Sequence, residues 1–117
     1  MLVVEDDHEL AALRSRALTQ DGMAVDAVLD GATALSRLAA TSFDAVVLDV
    51  GLPCVNGLEV CARLRAAGST VPVLMLSARD STDAVDAGRR AGATDYLLKP
   101  FTLTELVGRL DDLRGDR

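Results

Sequence analysis

The sequence at residues 45–49 reads Ala45-Val46-Val47-Leu48-Asp49, a short apolar run that ends directly on a carboxylate. Continuous apolarity over so few residues is typical of a parallel strand that is covered on both faces. The other short and mainly apolar runs are Leu2–Val4, Ala24–Val28, Val71–Leu76 and Tyr96–Leu98. The chain is therefore predicted to contain five strands.

Amphipathic stretches separate these runs, because apolar residues recur there every three or four positions, as on one face of a helix. The predicted faces are Leu10/Leu13/Ala17, Leu35/Leu38/Ala39, Leu58/Cys61/Leu64, Ala84/Val85/Gly88/Ala91 and Leu103/Leu106/Val107/Leu110/Leu113. Strict alternation of strand and helix implies right-handed crossovers. An open, doubly wound α/β sandwich follows.

Composition bounds the possible functions. The 117 residues are 50% hydrophobic and only 3% aromatic, which predicts one domain with an aliphatic core and excludes disorder. A formal net charge of -6 makes this domain a poor partner for nucleic acid or an anionic membrane. No apolar run approaches the roughly 20 residues that cross a bilayer, and no leader precedes the first strand, so we predict a cytosolic protein.

The two cysteines and the single histidine do not form a metal motif. Cys54 and Cys61 lack a second Cys or His pair at metal-binding spacing, which favours two reduced thiols over a disulfide or zinc site. Cys61 falls on a predicted helix face and is interpreted as a small core residue. His8 is predicted to lie on the surface at a helix start.

Polar residues follow the predicted strands. They comprise a group of carboxylates, a hydroxyl and an ammonium, and they are Glu5, Asp6, Asp7, Asp49, Ser77 and Lys99, with Pro100 next to the lysine. The carboxyl ends of parallel strands meet at one edge of a sheet, where ligands bind. Clustered carboxylates repel one another unless a cation neutralises them, and hard oxygen ligands suit Mg²⁺. The pattern predicts a divalent metal site.

Each of these features alone has an ordinary explanation. Acids after a strand are often solvated turn charges, a Lys-Pro pair often marks a turn, and Ser77 is suited to capping the next helix. The conjunction of all of them is what favours a functional site.

Taken together, these residues resemble the receiver domains of two-component response regulators. The resemblance covers essentially the whole chain, residues 1–117, and is strongest in the OmpR/PhoB-like branch, whose receivers precede a winged-helix DNA-binding domain. Such an effector domain is expected downstream and is absent from these residues. The family fold would be flavodoxin-like, a (βα)5 sandwich with strand order 2-1-3-4-5. The matching segments are Val3–Asp7, Val47–Asp49 with Leu52, Pro53 and Gly57, Leu76–Asp80 and Gly92–Phe101.

The resemblance implies a phosphoacceptor and a metal site. Asp49 would accept a phosphoryl group from a phosphohistidine on a sensor histidine kinase. Mg²⁺, which Mn²⁺ can replace, would be bound directly by Asp6 and Asp49, through water by Glu5, and by the backbone carbonyl of Gly51. Asp7 is interpreted as a charge in the first helical turn.

Further positions receive roles from the same resemblance. Lys99 would offset charge on the transferring oxygens opposite Mg²⁺. Ser77 would donate a hydrogen bond to the phosphoryl group, and Tyr96 would rotate inward behind it as a switch. The residues interpreted as shaping loops are Pro53, Gly57, which would supply a permissive backbone, and Pro100.

A partner surface is also implied. In the OmpR/PhoB-like branch the fourth helix, fifth strand and fifth helix form a symmetric homodimer face that controls a transcriptional output. Here Asp95 and Arg109 match one usual ion pair, whereas Arg90 and Asp111 match a second pair with exchanged signs, and Glu105 lacks its usual basic partner. Solvated surface charge is the simpler alternative.

Other functions remain open at this point. A Mg²⁺-dependent phosphohydrolase of similar fold would use the same carboxylates, but Gly51 stands where its second aspartate is expected. A receiver that only binds partners would not need every site position filled. A flavin-binding protein would need a hydroxyl-rich loop after the first strand, where this chain has acids.

Overall fold

Short strands alternate strictly with helices along the chain, as the sequence predicts. The computed structural model describes residues 1–78 and 82–115. The elements are β1 (Leu2–Val4), α1 (His8–Gln20), β2 (Asp26–Val28), α2 (Gly31–Ala40), β3 (Val46–Asp49), α3 (Gly57–Ala66), β4 (Val73–Ala78), α4 (Thr82–Ala91), β5 (Asp95–Lys99) and α5 (Leu103–Arg114). All predicted strands are present, with ends shifted by one or two residues.

The strands form one parallel sheet in the order β2-β1-β3-β4-β5, which confirms the predicted doubly wound fold. Successive side chains of a strand point to opposite faces. In β3, Val46 and Leu48 join an apolar cluster under α2 and α3, whereas Val47 joins a second cluster under α1 and α5. Both faces are covered, which explains why the strand sequences are continuously apolar.

Helix α1 departs from the predicted orientation. Leu10 and Leu13 are 38% and 44% exposed, whereas the buried residues of the helix are Ala11, Arg14 and Leu18. The predicted apolar face was therefore wrong by about one position. The physical reason is that the guanidinium of Arg14 points towards the buried acids Glu5 and Asp49. The periodicity of apolar residues cannot predict that a charged residue lies on the buried face.

The other helices largely follow prediction. Leu64, Gly88, Leu106 and Leu110 are buried, and Cys61 is a buried free thiol, whereas Ala39 and Leu103 are exposed. The side chain of Ala84 lies outside the described part. Cys54 is an exposed free thiol, and His8 is exposed as the first residue of α1. Across the described ranges, no helix has the length and apolarity needed to cross a bilayer.

Strand order fixes the location of the polar residues. The order reverses between β1 and β3, and a crevice forms at such a reversal outside the carboxyl ends of the strands. Glu5 follows β1 and Asp49 ends β3, while Lys99 ends β5. Side chains from three separate parts of the chain are thereby brought to one edge.

Candidate functional site

Asp49 lies at the centre of this edge and is only 4% exposed. One carboxylate oxygen, Oδ1, accepts a hydrogen bond of 2.9 Å from the backbone N–H of Gly51, and the other, Oδ2, accepts one of 2.6 Å from Lys99 Nζ. Burial alone would raise the pKa of Asp49, but the hydrogen bonds from Lys99 and Gly51 outweigh it and hold the pKa below its ordinary value. Asp49 is therefore a buried carboxylate that stays ionised.

Glu5 is the second buried carboxylate of the site. Its Oε2 accepts a hydrogen bond of 3.0 Å from the Asp7 N–H, and its Oε1 forms a close ion pair with Arg14 Nη1. Burial raises the pKa of Glu5 above its ordinary value. The contact with Arg14 supplies the partner that a buried carboxylate requires to remain charged.

Arg14 is a site residue that the sequence analysis missed. It is 5% exposed, and its Nη1 lies 3.6 Å from Asp49 Oδ2 in addition to contacting Glu5. The guanidinium carbon also lies 5.4 Å from the centroid of the Phe101 ring, which is within cation–π range. The sequence held one sign that Arg14 is buried: it lies three residues after Ala11 and four before Leu18, which places all three on one face of the helix.

Asp6 and Asp7 differ in what they contact. Asp6 is exposed in the loop after β1. Asp7 is the N-cap of α1, and its Oδ1 accepts hydrogen bonds from the backbone N–H groups of Glu9 and Leu10 at 2.9 and 3.1 Å. Asp7 thus precedes the first turn instead of lying within it, and its side chain stabilises the helix start.

The predicted metal ligands have the right chemistry for Mg²⁺. Glu5, Asp6 and Asp49 supply carboxylate oxygens around the ends of β1 and β3, and Gly51 supplies a carbonyl. Within the described residues, however, no three acidic, histidine or cysteine side chains are grouped closely enough to hold a metal. The donor types fit the ion, while protein cations are the partners of Glu5 and Asp49 here.

Ser77 and Tyr96 lie on the strands beside Asp49. Ser77 is buried in β4 directly after Leu76, the residue paired with Asp49 across the sheet. Tyr96 is half-buried in β5, and its ring packs against Gly88 of α4, where an added Cβ would lie 2.3 Å from the ring. Arg79 and Asp80, which carry part of the family resemblance, lie outside the described residues.

Pro53 and Pro100 lie outside the helices and strands, as predicted, whereas Gly57 is the first residue of α3 and is needed for a different reason than predicted. Pro53 is exposed in the loop between β3 and α3, and the Lys99–Pro100 peptide bond is cis. A Cβ at Gly57 would lie 2.5 Å from the carbonyl oxygen of Asp49, and its φ is not positive. Gly57 is therefore required for close approach and not for a permissive backbone angle.

Three of the predicted dimer residues, Asp95, Glu105 and Arg109, have hydrogen bonds or ion pairs within the chain. Arg109 Nη1 pairs with Asp95 at 3.0 Å and donates to the Tyr96 carbonyl at 3.3 Å. Glu105, which the sequence analysis leaves without a partner across the face, accepts the Thr102 N–H and closes a capping box at the start of α5. Arg90 is exposed and Asp111 is half-buried.

Comparison with known proteins bears on this arrangement. The profile of the response regulator receiver domain family matches residues 1–111. The transcriptional regulatory protein TcrA of Mycobacterium tuberculosis is 52% identical over 110 residues, which cover 94% of this chain and 44% of that protein. The transcriptional regulatory protein PrrA of Mycobacterium leprae is 47% identical over 113 residues, with 97% and 48% covered.

A solved structure has the same architecture. The receiver domain of the Francisella response regulator 1452 superimposes with a TM-score of 0.93 at 32% identity, covering 97% of this chain and 94% of that chain. The chain spans less than half the length of TcrA and of PrrA.

Proposed function

Because this chain belongs to the response regulator receiver domain family, we propose that it is a phosphoacceptor that takes a phosphoryl group from a sensor histidine kinase onto Asp49. Receiver domains are signalling domains and not classical enzymes, and two-component response regulators partner with sensor kinases. The resemblance to the OmpR/PhoB-like branch agrees with the mycobacterial relatives. The phosphohydrolase alternative is thereby set aside.

The observation that carries the proposal is the state of Asp49. A nucleophilic carboxylate must be ionised, and Asp49 ends β3 at the sheet edge with Lys99 Nζ 2.6 Å away. An oxygen of Asp49 attacks the phosphorus, the P–N bond of the phosphohistidine breaks, and the imidazole leaves. Lys99 is placed to offset negative charge on the transferring oxygens.

Mg²⁺ belongs to the same proposal. Asp6 and Asp49 would bind it directly, Glu5 would bind it through water, and the carbonyl of Gly51 would complete the protein ligands. When bound, the ion would offset charge on the phosphoryl oxygens.

Phosphorylation of Asp49 would change the surface formed by α4, β5 and α5. Ser77 would donate a hydrogen bond to the phosphoryl group, and Tyr96 would leave its position against Gly88 and turn inward. Because Tyr96 contacts α4 through Gly88 and its carbonyl accepts from Arg109 of α5, such a turn would alter the face formed by α4, β5 and α5. That face would then form a homodimer.

A transcriptional role would belong to the longer protein. TcrA and PrrA are named transcriptional regulatory proteins, and this chain covers less than half of each. DNA contact is therefore assigned to a separate effector domain, which also suits the net charge of -6 on this one.

The direct test is chemical phosphorylation. The chain is incubated with acetyl phosphate and Mg²⁺, and its intact mass is measured. In this reaction the Asp49 carboxylate attacks the phosphorus of acetyl phosphate, and acetate leaves. One labile phosphoryl adduct is expected in the wild type and in the control Asp26→Asn, which changes an exposed acid of β2. Asp49→Asn should show none, and an adduct of undiminished yield in that variant would exclude Asp49 as the acceptor.

A further inference from the structure

Arg14 is a buried cation to which the proposed function assigns no role. Its guanidinium is always protonated in proteins, so a residue that is 5% exposed needs partners for a permanent charge. Those partners are Glu5 and Asp49, two of the proposed Mg²⁺ ligands, together with the face of the Phe101 ring. Arg14 therefore neutralises the same two carboxylates that a bound divalent cation would neutralise.

The charges at this edge show what Arg14 changes. Three carboxylates, Glu5, Asp6 and Asp49, are opposed by Arg14 and Lys99, which leaves one negative charge uncompensated. Without Arg14 two would be uncompensated, and the attraction for a divalent cation would be stronger. Because Arg14, Glu5 and Asp49 are themselves buried, salt and water screen the loss of the Arg14 charge only weakly.

We infer that Arg14 is a built-in counter-ion that competes with the divalent cation for Glu5 and Asp49. The guanidinium holds both carboxylates when no metal is bound, and it must leave Glu5 for the metal to use that ligand. The Phe101 ring offers it a second contact, so Arg14 can shift without losing all its partners. This inference rests on the Mg²⁺ site of the proposed function.

The test compares two arginines of the same helix. Arg14→Met removes the buried charge, whereas Arg16→Met removes an exposed one and is the matched control. Mg²⁺ binding is measured by isothermal titration calorimetry, without any phosphodonor. Arg14→Met should bind Mg²⁺ about tenfold more tightly or better, while Arg16→Met should stay close to the wild type.

A second readout is thermal stability with EDTA and with Mg²⁺. Arg14→Met should melt below the wild type in EDTA, because two buried carboxylates lose a partner, and should gain more than the wild type on adding Mg²⁺. If Arg14→Met does not fold, Arg14→Gln, which keeps a hydrogen-bond donor, should show the same gain in affinity.

Several results would overturn the inference. Equal Mg²⁺ affinity in the wild type and both variants, or weaker binding in Arg14→Met, would show that Arg14 does not compete, and would leave phosphorylation at Asp49 untouched. If no form binds Mg²⁺, the inference falls together with the metal of the proposed function. Acetyl phosphate labelling then decides separately whether Asp49 is the acceptor.

Discussion

At Asp49 two physical effects oppose each other. Burial disfavours the charged carboxylate, whereas the hydrogen bonds from Lys99 and Gly51 favour it, and the lowered pKa shows that the hydrogen bonds prevail. The sequence predicted the meeting of Asp49 and Lys99, because both end strands of one parallel sheet. It did not predict the hydrogen bond from the Gly51 N–H, which depends on the turn after β3.

Gly57 offers a sharp test of packing around Asp49. Gly57→Ala should lower the free energy of unfolding by about 1–3 kcal/mol, because the new Cβ would lie 2.5 Å from the Asp49 carbonyl oxygen. Gly108→Ala is the control within α5, where a Cβ would meet nothing within 4 Å. It should raise that free energy by about 0.5–1 kcal/mol, since alanine is the better helix former.

Urea denaturation followed by circular dichroism measures both glycine variants. A Gly57→Ala domain as stable as the wild type would mean that α3 can move away from β3 without cost. The close approach would then not be a constraint on the loop that carries the site.

Among the elements, strands were easier to predict than helix faces. Strand sequences such as residues 45–48 are apolar on both faces of the sheet, so a strand can still be recognised when its predicted ends are wrong by one residue. The face of α1 was wrong because Leu10 and Leu13 are exposed and a buried arginine takes an inward position. Periodicity counts apolar residues, so it passes over Arg14 although that arginine shares the helical spacing of Ala11 and Leu18.

Helix α2 provides a test of charge at an element boundary. Asp30 is its N-cap, and the backbone N–H and hydroxyl of Thr33 donate to it and lower its pKa. The folded state thus favours ionised Asp30. The stabilisation is fully present above the unfolded pKa of about 3.9 and is lost as pH falls through the lower folded value.

Asp30→Asn keeps a capping side chain but removes the charge. The wild type should be the more stable of the two at pH 7, and their difference should shrink as pH falls below about 4. Urea titrations at a series of pH values measure this. A difference that does not change with pH would show that the charge does not contribute to the cap.

For the whole molecule, strand order and surface charge set the possible partners. The order 2-1-3-4-5 brings Glu5, Asp49 and Lys99 to one edge and leaves the face of α4, β5 and α5 beside it. The fold class was predictable from alternation, whereas the strand order came with the family resemblance. Neither the alternation of strands and helices nor the strand order shows whether the dimer forms. A surface ion pair within one chain, such as Asp95 with Arg109, has the same geometry whether or not a second copy binds there.

The exchanged signs at Arg90 and Asp111 predict self-pairing in the activated state. Sedimentation of the beryllofluoride-treated domain, in which beryllofluoride mimics the phosphoryl group, should show a homodimer. Arg90→Asp and Asp111→Arg should each weaken it by placing like charges together, and the double change should restore it. Identical behaviour of all four proteins, or no dimer on activation, would remove this face as the partner surface.

The central claim is that Asp49 carries the phosphoryl group, and locating the modified residue tests it most directly. The acetyl phosphate-treated chain is reduced with sodium borohydride, which converts an aspartyl phosphate to homoserine, and the digested protein is sequenced by tandem mass spectrometry. Homoserine at position 49, absent when Mg²⁺ is replaced by EDTA, is the predicted result. Homoserine at Asp6 or another acid, with unmodified Asp49, would contradict it.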